Sequence, residues 1–425
     1  MSLTEERLAH LKERIAIIDR KYAPHPRPPA SNPAAVPERD ARWFIEEWSE
    51  GQVVENAFGA HFQTERLFAS HRSHGIADIG ALADLPANLF DASSVPPQRW
   101  AFLDTETTGL AGGPSSYAFL IGVGRITGEG FRVRQFFLRE YAEEPSVLAA
   151  LTAHLNEFDS IVTYNGKSYD QPLLEARYHL LRQKSPFSRL LHFDLLHSAR
   201  RLWKLRLKDC RLMQLEQRIL GVCREGDLPG ELIPYVYFEY LRSREALRLV
   251  PIFHHNAMDI LTLACLTAIV PAAFQNTDSE SLVRVGVRSG EDLASIALWF
   301  AVAKKHAQAL DLFKRAVDAG LPDPLLFRAL WKIAHLERKL QHPHAALTAF
   351  TELAGCRNEY RASALEELAK YYEHEENNLA LALEFTKQAL NHVPNCAVSA
   401  PLLRRKTRLE RRLAKPHARR TLRPI

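Results

Sequence analysis

From Arg99 onward the chain gathers its apolar positions into short dense runs, RWAFLD, YAFLIGVGRI and FRVRQFFLRE, separated by connections that contain glycine. Runs of this length, rich in Phe, Ile, Val and Tyr, predict three β-strands in a meander. PSVLAALTAHLNEF then changes to helical spacing, SIVTYN reads as a short buried strand, and SYDQPLLEARYHLL is helical again. Three antiparallel strands followed by alternating α and β elements predict an α/β unit over residues 97–273, a mixed sheet with helices packed on it. Residues 231–271 read as mainly helical. The glycines of GVGRITGEG, Gly122 to Gly130, imitate a nucleotide-binding loop but lack its strand-then-helix context, and fit a hairpin connection. No GxxxxGK[ST] occurs anywhere in the chain, so a P-loop is excluded.

The flanking segments follow other patterns. Residues 1–22 place Leu8, Leu11, Ile15 and Ile18 on one helical face, and the proline-dense 23–39 reads as a linker. An accessory segment, 40–96, is mixed: a helix carrying Trp43, Phe44 and Trp48, then a loop-rich stretch. Over 288–400 the chain repeats an amphipathic helix, a polar turn and a second helix, with Phe313, Phe350 and Phe385 spaced by 37 and 35 residues. That period predicts an all-α domain of tetratricopeptide-like helical repeats. The full Trp-Leu-Gly-Tyr pattern is missing, so an ordinary helical bundle is the alternative.

With 425 residues, 46% hydrophobic and 25% charged, the composition is that of a globular chain and excludes disorder or a fibre. LTLACLTAIVPAAF is short for a bilayer and contains proline, and the amphipathic start is unlike a signal peptide. The expectation is a cytoplasmic protein without membrane contact. Cys210, Cys223, Cys265, Cys356 and Cys396 form no CxxC pair and read as free thiols. The net charge is +5, yet residues 401–425 hold ten Lys or Arg against one Glu, a local +9 that leaves the remainder at −4. This basic tail suits contact with phosphates; a solvated end is the other reading.

Candidate chemistry starts at LDTETTGL. Alternation along a strand puts Asp104 and Glu106 on one face. Two close carboxylates raise each other's pKa unless a cation neutralises them, and oxygen donors suit Mg²⁺ or Mn²⁺. Further acids follow. Asp170 in GKSYDQPLL opens a helix after the short strand, and Asp259 lies four residues after His255 on the helix of HHNAMDILTLACL, on the same helical face. Four carboxylates, Asp104, Glu106, Asp170 and Asp259, can hold two divalent ions about 4 Å apart, suited to cleaving a phosphodiester, with a neutral imidazole as general base.

LDTETTGL, NGKSYD and HHNAMD resemble the three motifs of DEDD exonucleases in the ribonuclease H superfamily. More closely, FLDTETTGLAGGPSSYAFLIGVGR, QFFLRE, VTYNGKSYDQPLLEARY, HFDLLHSARRLW, LEQRILGVCREGDLPGELIPYVYFEYL and HHNAMDIL resemble the YprB-like ribonuclease H domain, over about residues 97–270. The resemblance implies a metal-dependent 3′-to-5′ exonuclease followed by a helical extension. Asp104 and Glu106 take its first-motif positions, Asp170 the second and Asp259 the third. Its histidine-type members carry the base five residues before the last Asp, here His254; its tyrosine-type members carry the aromatic four before, here His255. The HNxxD spacing favours His255, with His254 as the alternative general base. Leu110 is implied to wedge against a terminal base.

Other residues complete the expected site. Thr107, Thr108 and Gly109 offer a turn whose N–H groups can approach phosphate or sugar, or else an ordinary turn; Asn165 orients water or substrate, or else caps a strand. Asp194 reads as a helix cap, and Asp227 as a structural loop residue. Ten basic residues between Arg177 and Arg211, interleaved with Tyr178, Phe187 and Trp203, suit a single-stranded nucleic acid; a solvated helix face is the plain alternative. The implied partner is DNA or RNA presented as a single-stranded 3′ end, with a protein partner for the repeats. Two competing functions stand beside the exonuclease: a structure-specific endonuclease on the same fold, and a nucleic-acid-binding scaffold that acts through its repeats.

Overall fold

The computed structural model describes residues 45–89, 94–109, 116–275, 277–287, 289–392 and 396–414. The expected helix at 1–22, the linker at 23–39, Trp43, Phe44, Leu110 and the last eleven residues of the basic tail lie outside the described residues. The chain divides into two compact units, Met1–Arg200 with Asp209–Gln275, and Arg201–Lys208 with Asn276–Ile425.

The first unit is built on a seven-stranded mixed sheet. Its strands are β1 (Gly51–Asn56), β2 (Gly59–Ala69), β3 (Trp100–Thr107), β4 (Ala118–Thr127), β5 (Gly130–Phe137), β6 (Ser160–Thr163) and β7 (Leu191–Asp194), in spatial order β1-β2-β5-β4-β3-β6-β7. β1 to β5 pair antiparallel, with β3 joined to β4, while β6 runs parallel to β3 and β7 parallel to β6. Parallel neighbours need helical crossovers, and two helices provide them: α1 (Glu144–Leu155) before β6 and α2 (Asp170–Leu180) before β7. Trp100, Phe102, Phe119, Phe131, Phe136 and Phe137 are fully buried along the central strands.

Three strands depart from the sequence expectation. The stretch read as loop-rich forms β1 and β2, which extend the sheet beyond the meander. Its pattern is obscured by charge: Glu65 on β2 lies opposite Arg134 of β5 and takes both Arg132 and Arg134 at 2.8 Å. Cross-strand ion pairs there replace the apolar alternation that marks a strand. β7, inside HFDLLH, is four residues long and only partly covered, too short for periodicity to show.

A 26-residue helix, α3 (Val250–Gln275), lies against the sheet. It is long and apolar enough to cross a membrane by length and composition, but 67% of its most apolar window is buried inside the protein. The apolar run that reads as too short for a bilayer is only the later part of this helix, which begins nine residues before Asp259 and carries His254, His255, Asn256 and Asp259 within it. It approaches β4 closely because Gly122 and Gly124 face it. A Cβ at Gly122 would stand 2.3 Å from Asn256 Oδ1 and from Ile260 Cδ1, and one at Gly124 would stand 2.6 Å from Ile260 Cγ2. The glycines of GVGRITGEG therefore serve helix-to-sheet packing as well as the hairpin turn.

The second unit is helical: α4 (Ser279–Arg284), α5 (Gly290–Val302), α6 (His306–Asp318), α7 (Asp323–Lys339), α8 (Pro343–Gly355), α9 (Arg361–His374), α10 (Leu379–Asn391) and α11 (Cys396–Ala414). Starts are capped where the sequence provides Ser or Asn: Ser289 accepts from Asp292 N and Asn378 from Leu381 N. From α5 onward each helix packs on its neighbours in the chain, the arrangement of a helical repeat. Phe313, Phe350 and Phe385 fall on α6, α8 and α10, the second helix of each pair. The basic tail is not a loose end as far as Ala414. Residues 401–414 belong to α11, with Leu402 and Leu409 buried and Arg405, Arg408 and Arg412 all on Glu373.

One buried group sets a pH dependence for the first unit. His154, 5% exposed on α1, packs against the rings of Phe136 and Phe158; burial, helped by Arg134, pulls its pKa from 6.5 to about 4. The unfolded chain therefore takes up this proton first, and the folded state loses stability as pH falls from 6.5 towards 4. Urea titrations of wild type and His154→Gln should converge in favour of the variant by about 2 kcal/mol between pH 7 and pH 5; a difference that stays constant with pH would refute this.

Candidate active site

β3 carries the first two acids beyond the end of its parallel pairing with β6, at Phe102, while still paired with β4. Its first four residues, WAFL, are buried, whereas Asp104 to Thr107 are only partly covered, and its pairing with β4 slips between Glu106 and Thr107. A bulge at that point re-aims the strand end. Asp104 sits opposite Gly122, the position where α3 comes closest. Asn256 of α3, fully buried, donates from Nδ2 to Asp104 Oδ2 at 2.8 Å and accepts at Oδ1 from Gln135 Nε2 at 2.8 Å. Gln135 is anchored in turn on Phe253 O.

Asp170 enters from the start of α2, where Thr105 Oγ1 donates to its Oδ1 at 2.5 Å. The loop before it is shaped by Asp194, which accepts from Asn165 N at 2.8 Å, Lys167 N at 3.1 Å and Leu196 N at 3.1 Å. Asp194 thus caps the helix that follows it and holds the turn that delivers Asp170. Asn165 stands in that turn with φ 68°, a left-handed conformation that Asn tolerates.

Three of the carboxylates strain against one another. Burial, then the charges of Asp259, Asp170 and Glu106, push Asp104 well above the ordinary carboxylate range. Glu106 is pushed up to about 8 by burial and by Asp259, Asp170 and Asp227, although His255 opposes this. Burial raises Asp170 to about 6, against its bond from Thr105.

The two adjacent histidines have different surroundings. His255 is buried and donates from Nδ1 to Asp227 at 2.9 Å, with its Nε2 3.6 Å from Asp259 Oδ2. Burial lowers its pKa, but Asp259, Asp227 and Glu106 together carry it up to about 9. His254 has another partner: its Nδ1 meets Arg66 Nη1 at 3.0 Å, and it lines a cavity of about 190 Å³ with Cys223, Arg224, Asp227, Pro251 and Met258.

Arg224 completes the cluster from the loop before Asp227. Its Nη2 lies 2.6 Å from Asp259 Oδ1, its Nε 2.7 Å from Glu216 Oε2 and its Nη1 3.4 Å from Asp227 Oδ2, with 6% of the side chain exposed. Glu216 is buried and further held by Thr262 Oγ1 at 2.7 Å and His74 Nε2 at 3.2 Å. These neighbours, with Arg224, keep its pKa low against the effect of burial.

Residues 101–270 match the RNase H superfamily. The chain is also 34% identical over 363 residues to the uncharacterized protein YprB of Bacillus subtilis (strain 168), covering 82% of this chain and 85% of the relative. This chain belongs to the same family as YprB, and its residues 101–270 form an RNase H superfamily domain. An RNase H-like unit implies a nucleic-acid substrate, and nucleases of the superfamily generally use divalent metal ions.

The donor set fits such an ion. Among the described residues no three or more His, Cys, Asp or Glu side chains already close on one point as metal ligands do. Instead Asn256, Thr105 and Arg224 each hold one of the acids. What remains is four oxygen-donor side chains around one strand end, three of them kept from ionising freely by burial and mutual repulsion. A hard divalent cation relieves that repulsion.

Several expected substrate residues turn out to shape the RNase H-like site itself. Thr107 Oγ1 donates to Gly109 O at 2.9 Å, and Thr108 Oγ1 accepts from Tyr117 N at 2.9 Å, so both hydroxyls bond backbone beside the end of β3. The basic stretch from Arg177 to Arg211 is no single groove. Arg177 is buried on Glu144 at 2.6 Å, Arg206 pairs with Asp292 and Arg211 with Asp209. Tyr178, Phe187 and Trp203 are core residues and offer no stacking faces; their spacing among basic side chains reflects amphipathic helices. Sequence reasoning missed Arg224 and the part played by Asp227. Loop residues carry no periodicity, and the only available signal was a charge pair, Arg-x-x-Asp, ahead of a Pro-Gly turn.

Arg224→Gln would remove the guanidinium that bridges Glu216 and Asp259, and breaking a buried pair costs about 3 kcal/mol or more. The urea midpoint should fall accordingly, with partial recovery in Arg224→Lys. Unchanged stability in the Gln variant would show that Arg224 is not structurally coupled to the carboxylates.

Proposed function

We propose that this protein is a metal-dependent exonuclease that releases nucleotides from the 3′ end of a DNA or RNA strand. The observation that supports it is the meeting of Asp104 and Glu106 from a strand end, Asp170 from one helix start and Asp259 with His255 from another helix. Two divalent ions, Mg²⁺ or Mn²⁺, held by these four carboxylates would supply an activated water and charge stabilisation of the leaving oxygen.

The chain's own residues do the rest. Asn256 and Thr105 each occupy one oxygen of Asp104 and Asp170, which fixes the direction of the other. The bond that His255 donates to Asp227 keeps the proton on Nδ1 and turns Nε2 towards the carboxylates, the orientation a general base needs. The carboxylates also set its availability: their uncompensated charge keeps the imidazole protonated near neutral pH, and neutralising that charge frees Nε2 to accept a proton from water. Thr107, Thr108 and Gly109 hold the turn beside Asp104 and Glu106 at which a terminal phosphate and sugar would lie.

The test uses purified full-length protein with 5′-labelled single-stranded DNA and RNA in Mg²⁺, Mn²⁺ or EDTA. A ladder shortening from the 3′ end, absent in EDTA and in Asp104→Asn, is expected; discrete internal products would assign an endonuclease instead. Independently of turnover, Mn²⁺ should raise the melting temperature of wild type and not of Asp104→Asn, because an ion that binds only the folded state stabilises it. His255→Ala should lower turnover by about 10²–10⁴-fold while His254→Ala stays close to wild type. The opposite ranking would transfer the base to His254.

A further inference from the structure

Helix α11 carries six Lys or Arg and one acid between Cys396 and Ala414. They are not spread around the helix. Arg404, Arg408, Arg411 and Arg412 are exposed on one face, whereas Leu402 and Leu409 are buried on the other. Positions 404, 408 and 411 follow one another by about one turn, or roughly 5 Å along the axis. With Leu403 and Thr407, the four arginines line an open hollow of about 520 Å³.

The packing beneath this face leaves its charge uncompensated. Like charges spaced i, i+3 or i, i+4 destabilise a helix by a few tenths of a kcal/mol each, and a merely solvated face would intersperse acids. Here Glu410 is the single acid, 4.0 Å from Lys406. One buried carboxylate from α9, Glu373, instead gathers Arg405 at the distance of a short ion pair, Arg408 at 2.8 Å and Arg412 at 3.2 Å. A single negative charge under three guanidinium groups leaves a surplus of two, and it orders the side chains that bear it. Arg408 and Arg412 keep 52% and 44% of their side chains exposed while so held. Ordered, outward guanidinium groups on a regular spacing match a chain of phosphates, which Arg binds with two donors at once. Leu403 and Leu413, 49% and 44% exposed at the flanks, offer apolar contact for sugars or bases.

We propose that this face of α11 is a second nucleic-acid contact that grips the phosphodiester backbone without reading sequence. It rests on the nucleic-acid reading of the RNase H-like unit and assigns to the helical unit the holding of substrate strand. Arg404 and Arg411 supply free charge to that contact, and Glu373 positions Arg408 and Arg412 within it.

The test is fluorescence anisotropy of a labelled single strand about 30 nucleotides long, DNA or RNA, in EDTA so that nothing is cleaved, across about 50–200 mM salt. Removing one cation that neutralises a phosphate of a single strand lowers the salt slope by about 0.7, so Arg404→Ala/Arg411→Ala should reduce it by about 1.4 and weaken binding several-fold. Neither residue touches Glu373, so melting should be unaffected. Arg404→Lys/Arg411→Lys should keep the slope, since it retains the charge. The control Arg357→Ala/Lys387→Ala removes the same charge from exposed positions elsewhere in the helical unit and should bind as wild type. An unchanged slope in the α11 variant, or an equal fall in the control, overturns the proposal, as does loss of binding to an acidic peptide or anionic vesicle with nucleic-acid binding intact. Failure to cleave any strand in Mg²⁺ or Mn²⁺, with the slope change present, would remove the nuclease reading and leave this contact standing.

Discussion

The structure depends on one close approach, that of α3 to β4. Gly122 and Gly124 leave no side chain between helix and sheet, so Asn256 and Ile260 occupy the space that Cβ atoms would fill. Burial of an amide at this depth is costly unless every donor and acceptor is matched. Gln135 and Asp104 match it. The hydrogen-bonded chain from Gln135 through Asn256 to Asp104 therefore ties sheet packing to the position of the first acid, and the same helix brings His255 and Asp259 alongside.

A second constraint is electrostatic. Asp104, Glu106, Asp170, Asp227 and Asp259 converge on a region where, among the described residues, Arg224 and His255 supply the positive charge. Arg224 is itself balanced by Glu216, and that acid by Thr262 and His74. The cluster stays negative after these pairs are counted, which fits an ion-binding role; a purely structural network of this depth tends towards neutrality.

The centre of the sheet and the four acids were legible in the sequence because both rest on local rules. Strand alternation puts Asp104 beside Glu106, and helical spacing puts Asp259 on the face of His255. The outer strands β1 and β2 were hidden because β2 is held to β5 by Glu65, Arg132 and Arg134, through pairs that exist only after the strands meet. Arg177 and Trp203 looked like parts of a binding groove, and only tertiary burial reveals one as a core ion pair and the other as core packing. The different surroundings of His254 and His255 come from the rotation of one helix and from Asp227, a residue 28 positions away in the chain.

His255, Asn256 and Asp259 ride on a single helix of 26 residues. Their mutual spacing is thus set by helix geometry and survives any change elsewhere, whereas their distance from Asp104 and Glu106 is set by two glycines on another strand. The site behaves as two rigid halves with one adjustable seam. Substitutions that wedge the seam open would move His255 and Asp259 away from Asp104 and Glu106 together, while those within either half would alter one side chain and leave the others in register.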